Sequence, residues 1–309
     1  MMPKPMLKDY RPVNYYFVAD PSYWPLFGCF GLFATLVGGI NMLHHNTFGT
    51  YLFLTGIALL VITMFGWFSL VVRESIQGLH SKQMDKTYRW GMMWFIVSEV
   101  ALFGVFFGAL FYTRMFTIPD LSGTAGILAK ALLFTKGDTT HIYLWPHFKA
   151  AWPLLVNPNP ELFPGPERVI NTWGIPALNT VLLLSSAVAL TWAHWGFKSD
   201  NLKQVKIGLI LAILLGLVFV GCQAHEYLLA HLEYHLTIYS GIYGATFFML
   251  TGLHAMHVTM GIIMMTVILI RCFKGHFRRE HHFAFEAVAW YWHFVDVVWL
   301  FLFVFVYWI

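Results

Sequence analysis

Within RWGMMWFIVSEVALFGVFFGALF, residues 89–111, Glu99 is the single carboxylate in a run of almost wholly apolar side chains. A charged residue at the centre of a bilayer costs roughly 2.5–3.5 kcal/mol on insertion scales, so it needs a protein partner, a bound proton or water. Counted from Trp90, Glu99 lies about nine residues in, roughly 14 Å at 1.5 Å per residue, which is close to mid-membrane. The chemistry open to such an acid is proton binding and release, a hydrogen bond to a neighbouring helix, or ligation of a substrate or ion.

Other polar residues stand in comparable surroundings. His254 and His257, in TGLHAMHVTMG, share a helix face at i, i+3, as do His293 and Asp296 in WYWHFVDVVWLF, with Glu286 on roughly the same stripe. His225 and Glu226 sit near the far end of one apolar run and His194 ends another. Gly241, Gly244, Ala245, Gly252, Ala255 and Gly261 accompany them, and such small residues let helix backbones approach closely in membranes. The economical expectation is that Glu226, His254, His257, Glu286, His293 and Asp296 are structural polar groups paired at helix–helix seams. Two metal readings compete. Bis-histidine haem needs single histidines on facing helices, each oriented by a second hydrogen bond, and His254, His257 and His293 could supply them. A di-iron membrane enzyme needs several histidine clusters near one membrane face. Here there is one HxxxH (His231, His235), one HxxH (His254, His257) and one HH (His281, His282), and the loop placement puts the first and last on opposite sides of the membrane. Cys29, Cys222 and Cys272 are far apart and form neither a CxxC metal site nor an evident disulfide pair.

The elements that hold these residues follow from composition. Of the 309 residues 58% are hydrophobic, 18% aromatic and only 11% charged, against about 25% charged in soluble domains. The class is therefore an all-α integral membrane protein. Segments near Trp24–Leu43, Tyr51–Val72, Trp90–Phe111, Ile175–Ala193, Ile207–Tyr227, Ile242–Ile270 and Ala287–Ile309 are each long enough to span about 30 Å of hydrocarbon as a helix. With seven spans, Lys4, Lys8 and Arg11, then Arg73, Lys82, Lys86 and Arg89, then Lys198, Lys203 and Lys206, and finally Arg271, Lys274, Arg278 and Arg279 all fall on one side. The remaining basic residues, Arg114, Lys130, Lys136, Lys149 and Arg168, lie in the long third loop, which the positive-inside rule largely exempts. The N-terminus is expected in the cytoplasm and the C-terminus opposite. The first residues carry no secretory-type leader, and the net charge of +4 gives no sign of a nucleic-acid partner.

The expected organisation is a cytoplasmic arm (1–23), a two-helix unit (24–72), a cytoplasmic linker (73–89) and a five-helix bundle (90–309). The loop 112–174, with seven of the thirteen prolines, reads as an irregular surface excursion. No repeat relates the halves, which weighs against an inverted-repeat transporter.

RWGMMWFIVSEVALF, NTVLLLSSAVALTWAH, GIYGATFFMLTGLHAMHV and HHFAFEAVAWYWHFVDVVWLFLFVFVYW, in that order, resemble the motif series of subunit III of haem–copper cytochrome c oxidases, of the bacterial aa3 type. The resemblance runs from about Trp24 to the C-terminus, interrupted by the third loop. It implies two-helix and five-helix bundles separated by a V-shaped lipid-filled cleft, and a chain with no metal of its own, haem and copper belonging to partner subunits I and II. It also implies packing against subunit I, support for its proton uptake, and bound phospholipids, in a complex that takes electrons from cytochrome c to O2 while pumping protons. Glu99 matches the family's carbodiimide-reactive carboxylate, a chemistry that needs a protonated acid in an apolar site. Arg73, Glu74 and His80, in VRESIQGLHS, match a segment near which lipid headgroups are held. The chain departs from the family at Gly108, usually Trp, at Ser69-Leu70, usually a polar pair, and at Ser240, often Asp. The setting expected is a bacterial inner (plasma) membrane; the alternative is a stand-alone transporter or a haem or di-iron membrane enzyme.

Overall fold

Hydrocarbon offers a peptide group no hydrogen-bond partner, and the chain meets that constraint with helices that satisfy their own backbone. The computed structural model describes residues 21–124, 137–277 and 282–309, apart from the side chains of Lys82 and residues 137–140. The expectations resting on Lys4, Lys8, Arg11, Lys130, Lys136, Arg278, Arg279 and His281 lie outside the described residues. Among those described, seven helices are long and apolar enough to cross a membrane. They are α1 (Trp24–Leu43), α2 (Thr47–Ile76), α3 (Lys82–Tyr112), α4 (Ile175–Lys198), α5 (Leu202–Leu232), α6 (Gly241–Phe273) and α7 (Phe283–Leu302). Most outrun the apolar segments read from sequence, because a helix does not stop where hydrocarbon stops. The first turns of α3 are polar, and Asp85 and Arg89 pair across one turn at 2.8 Å. At its other end α3 continues through a π-helical turn, Thr113–Thr117, and α7 through another, Phe303–Trp308.

The chain divides into two compact units, Met1–Gly91 and Met92–Ile309. In the first, α1 and α2 form a hairpin whose turn passes through His45 at φ 59° and is capped by Asn46, whose side-chain oxygen accepts from the Phe48 N–H at 3.1 Å. The two helices touch backbone to backbone. A Cβ on Gly56 would stand 2.4 Å from the Thr35 nitrogen, so only glycine permits this approach.

In the second unit α7 is the central element: 61% of its most apolar stretch is buried, against 33–39% for α4, α5 and α6. Two tryptophans fix it to α4. Trp292 Nε1–H donates to Ser186 Oγ at 3.1 Å, Trp299 Nε1–H donates to Thr180 Oγ1 at 2.9 Å, and Ser186 in turn donates to the Ala212 carbonyl of α5. The Trp292 ring lies over Gly261 of α6, where a Cβ would meet it at 2.6 Å. Each indole thus combines apolar burial with a satisfied polar edge.

The third loop is held down more closely than an excursion over the surface requires. Ile118, Phe148, Leu154 and Ile170 join the buried core. Asn157 donates to the carbonyls of Phe163 and Ser240, the Arg114 guanidinium lies 5.4 Å from the centre of the Trp152 ring, and Gly137–Leu144 is helical. The signal for this docking was a set of apolar residues scattered among prolines, with no period to read.

Gly261→Leu would force α6 off Trp292. Overpacking of this kind costs about 1–3 kcal/mol, and the expected result is a lowered thermal midpoint in detergent with reduced yield. An unchanged midpoint would contradict the close approach of α6 to Trp292.

Candidate functional site

Glu99 on α3 meets His257 on α6, 158 residues on, with Oε2 and Nε2 3.0 Å apart. The imidazole is held from its other side: Nδ1 lies 2.7 Å from the carbonyl of Leu253, one turn earlier on its own helix. A carbonyl can only accept, so Nδ1 carries the hydrogen and a neutral His257 presents Nε2 as a bare lone pair. The 3.0 Å contact with Glu99 therefore encloses a single proton, on the carboxyl with a neutral imidazole or on the imidazole with a carboxylate. Both arrangements carry no net charge, which removes the cost of an isolated ion in hydrocarbon. Phe103, Tyr291 and Phe294 surround the ring, Tyr291 stacking on it at 6.2 Å between centroids. The Ser98 hydroxyl already donates to the Phe95 carbonyl at 2.6 Å and lies 3.4 Å from Glu99 Oε1. Side-chain exposure is 6% for His257 and 17% for Glu99, so a small apolar reagent reaches the carboxyl before the ring.

The remaining intramembrane polar residues are not brought together into one centre. His254 donates from Nε2 to the Val295 carbonyl at 3.2 Å and packs against Phe219 and Trp299. Glu226 lies in a separate buried cluster, accepting at Oε1 from Tyr307 at 2.6 Å and from Gln223 at 3.1 Å, with Asn179 donating to Gln223 at 3.3 Å. Tyr227 and Thr251 bridge α5 and α6 at 2.6 Å. His293 contacts Thr191 of α4 at 3.4 Å and stands 3.6 Å from Asp296. With His254 and His257 on different partners and His293 on another seam, the three do not assemble as a haem site would require.

Where α4 ends and α7 begins, the ligand atoms of His194, His282 and Glu286 lie within 4.8 Å of one another, and His282 Nε2 is 3.1 Å from Glu286 Oε1. Two imidazoles and a carboxylate are a donor set that suits a borderline divalent cation such as zinc. In sequence His194 was only a helix end and His282 half of a lone pair, because nothing along the chain says that α4 and α7 place them side by side.

In the first unit, Arg73, Glu74 and His80 gather where α2 turns towards α3. His80 Nε2 lies 3.7 Å from Glu74 and 3.4 Å from the Tyr88 hydroxyl. Beside them is a cavity of about 540 Å³ whose wall includes Trp24, Phe27, Leu70, Arg73, Glu74 and Gln77. Aromatic and aliphatic walls with one guanidinium suit a ligand that is anionic at one end and apolar at the other. Burial pushes the His80 imidazole below its ordinary value of 6.5, with the neighbouring Glu74 offsetting part of the drop. The folded chain then binds fewer protons at His80 than the unfolded one, so stability falls as the pH drops through 6.5 and levels off below the depressed folded value. A histidine NMR titration should find His80 below that ordinary value, and substitution by Phe should flatten this part of the pH dependence. A midpoint above it would contradict the burial described.

The family described as Cytochrome c oxidase subunit III matches residues 14–129 and 127–309. A protein named Cytochrome c oxidase subunit 3 from Arabidopsis thaliana is 39% identical over 294 residues, covering 95% of this chain and 96% of the relative. Its counterpart from Marchantia polymorpha is 40% identical over 292 residues, 94% and 95% of the two chains, and that from Oryctolagus cuniculus 39% identical over 294 residues, 95% and 96%. The motif order and seven spans agree with full-length matches to both plant and animal relatives, and the chain belongs to the cytochrome c oxidase subunit III family.

Proposed function

We propose that the Glu99–His257 pair is the proton-linked site of this chain and that Arg73, with Glu74 and His80, holds the headgroup of an anionic phospholipid. The chain itself is a non-redox core subunit of a respiratory cytochrome c oxidase, and so a component of an oxidoreductase complex. The observation that carries the first part is the arrangement of His257, whose Nδ1 is committed to Leu253 while Nε2 faces Glu99. One proton moves between two heavy atoms 3.0 Å apart with no change in net charge, whereas net uptake gives an imidazolium beside a protonated acid and net release a carboxylate, so exchange with the outside changes the charge of the pair by one. The second part rests on the cavity beside Arg73, where the guanidinium supplies a fork for phosphate oxygens and Trp24, Phe27 and Leu70 supply apolar wall.

Subunit I is the direct partner in this reading, with subunit II in the same assembly, haem and copper in those partners, and cytochrome c delivering electrons to the complex. The intramembrane acid contributes by supporting proton uptake into subunit I. The clustering of Lys and Arg in alternate short loops supports the orientation of this reading, in which the membrane is a bacterial plasma membrane with the N-terminus on its cytoplasmic and the C-terminus on its periplasmic side.

In the purified oxidase, Glu99→Gln should leave assembly intact, abolish carbodiimide labelling of this subunit, and change proton pumping or turnover-linked inactivation modestly. Loss of electron transfer itself would mean that the role is wrong. His257→Leu should cost about 1–3 kcal/mol in stability by orphaning the acid. Arg73→Ala should weaken retention of anionic lipid by about 1 kcal/mol, roughly fivefold, in native mass spectrometry; unaltered lipid retention would remove Arg73 from the headgroup site.

A further inference from the structure

The seam between α4 and α7 repeats the logic of the Glu99–His257 site with the exposures reversed. Asp296 is 5% exposed, and neither of its carboxyl oxygens has a hydrogen-bond partner among the described residues. The polar groups around it are committed elsewhere. Trp292 and Trp299, one turn to either side, donate to Ser186 and Thr180. His254 of α6 donates to the Val295 carbonyl, and His257 of the same helix faces Glu99. What remains is His293, whose Nδ1 stands 3.6 Å from Asp296 Oδ2.

His293 is itself oriented from its far side. Its Nε2 lies 3.4 Å from Thr191 Oγ1, and that hydroxyl spends its hydrogen on the Ala187 carbonyl at 2.9 Å. Thr191 can therefore only accept from the ring, which puts the hydrogen on Nε2 and turns a bare Nδ1 towards Asp296. An ionised Asp296 facing that lone pair would be a buried charge with no donor. A protonated Asp296 aims an O–H at it, just beyond direct hydrogen-bond range, so that a small rotation of either side chain closes the link.

Exposure then gives the pair a direction. The Asp296 side chain is 6% exposed and that of His293 43% exposed, so of the pair only the imidazole reaches the surface of the chain, where a partner subunit, lipid or water can meet it. His194 of α4 lies in the electrostatic field of His293, and also of Glu286, His282 and Lys198, which continues the polar seam to the helix ends where the three-residue cluster sits. On its own helix Asp296 is flanked by the buried apolar residues Trp292, Val295 and Trp299.

The geometry points to Asp296 as a second proton-binding carboxyl of this chain, loaded and unloaded through the imidazole of His293. In the uptake step the neutral imidazole, which keeps its hydrogen on Nε2, gains a proton at Nδ1 to become imidazolium and passes that proton to an ionised Asp296 Oδ2, so that the ring returns neutral and the charge on Asp296 is removed. This deepens the reading of the chain as a proton-supporting oxidase subunit and rests on it only for the preparation in which it is tested. If no haem-bearing complex co-purifies, that reading fails. If the complex is intact and Asp296 behaves otherwise, only this inference fails.

The test is infrared spectroscopy of the intact oxidase on transfer from H2O to D2O. Asp296→Asn should remove one C=O stretch of a protonated carboxyl, distinct from the stretch removed by Glu99→Gln. His293→Leu should keep the Asp296 stretch, shift it, and slow its deuterium exchange on the order of a hundredfold, the scale on which a positioned acid–base group accelerates proton transfer. His293→Gln should restore little of the rate, whereas a merely structural role would let both variants exchange normally. Carbodiimide, which must reach a carboxyl directly, should modify Glu99 and spare Asp296. The inference is overturned if Asp296→Asn removes only carboxylate absorbance, or if exchange in His293→Leu matches the native rate. Should Asp296→Asn not assemble, carboxyl-labelled aspartate in the native complex identifies the same stretch and the His293 variants decide.

Discussion

Hydrocarbon makes an unpartnered donor or acceptor costly, and the most informative contacts of this chain are answers to that cost. At the Glu99 site the cost is met in two steps. The carbonyl of Leu253 takes one edge of the His257 ring, which leaves the other edge as an acceptor for whatever α3 presents. An acid is the side chain that can both donate to that edge and surrender its proton to it without creating net charge. The aromatic wall of Phe103, Tyr291 and Phe294 then keeps lipid and water from competing for the ring.

Packing serves the same end. The indoles of Trp292 and Trp299 lock α7 to α4 while filling the core with apolar area, and glycines at Gly216 and Gly261 leave room for the first of them. Because α7 is gripped in this way, Tyr291 and Phe294 are delivered to one side of the helix and Asp296 to another. The carboxylates Glu99, Glu226 and Asp296 thus occupy separate compartments, each with its own set of neighbours. In the first unit the corresponding grip is backbone to backbone, and polar chemistry collects where α2 ends, at Arg73, Glu74 and His80.

Much of the fold was legible in the sequence because apolar length and charge placement report directly on hydrocarbon. α1 runs from Trp24 to Leu43 as its apolar run predicts, whereas α2 and α3 extend beyond theirs into polar turns that no hydropathy pattern bounds. Glu99 was legible as a residue out of place, yet its partner was not, since the i, i+3 spacing of His254 and His257 says nothing about which faces α3. That same spacing suggested one polar stripe, and the structure sends His254 to a backbone carbonyl instead. His293 and Asp296 share a face as their spacing implies, but the committed donors on either side, which give Asp296 its character, belong to packing between helices. The cluster of His194, His282 and Glu286 was illegible for a related reason, being assembled from the end of α4, the cap of α7 and its first turn.

With Nδ1 of the His257 ring committed to Leu253, the contact between Nε2 and Glu99 has room for one proton. Magic-angle-spinning NMR of the oxidase carrying 15N-labelled histidine reads this directly. The expected result is a His257 Nδ1 bearing its own hydrogen, and an Nε2 resonance that shifts when Glu99 is replaced by Gln. A His257 with hydrogen on Nε2 and a bare Nδ1 in both proteins would contradict it.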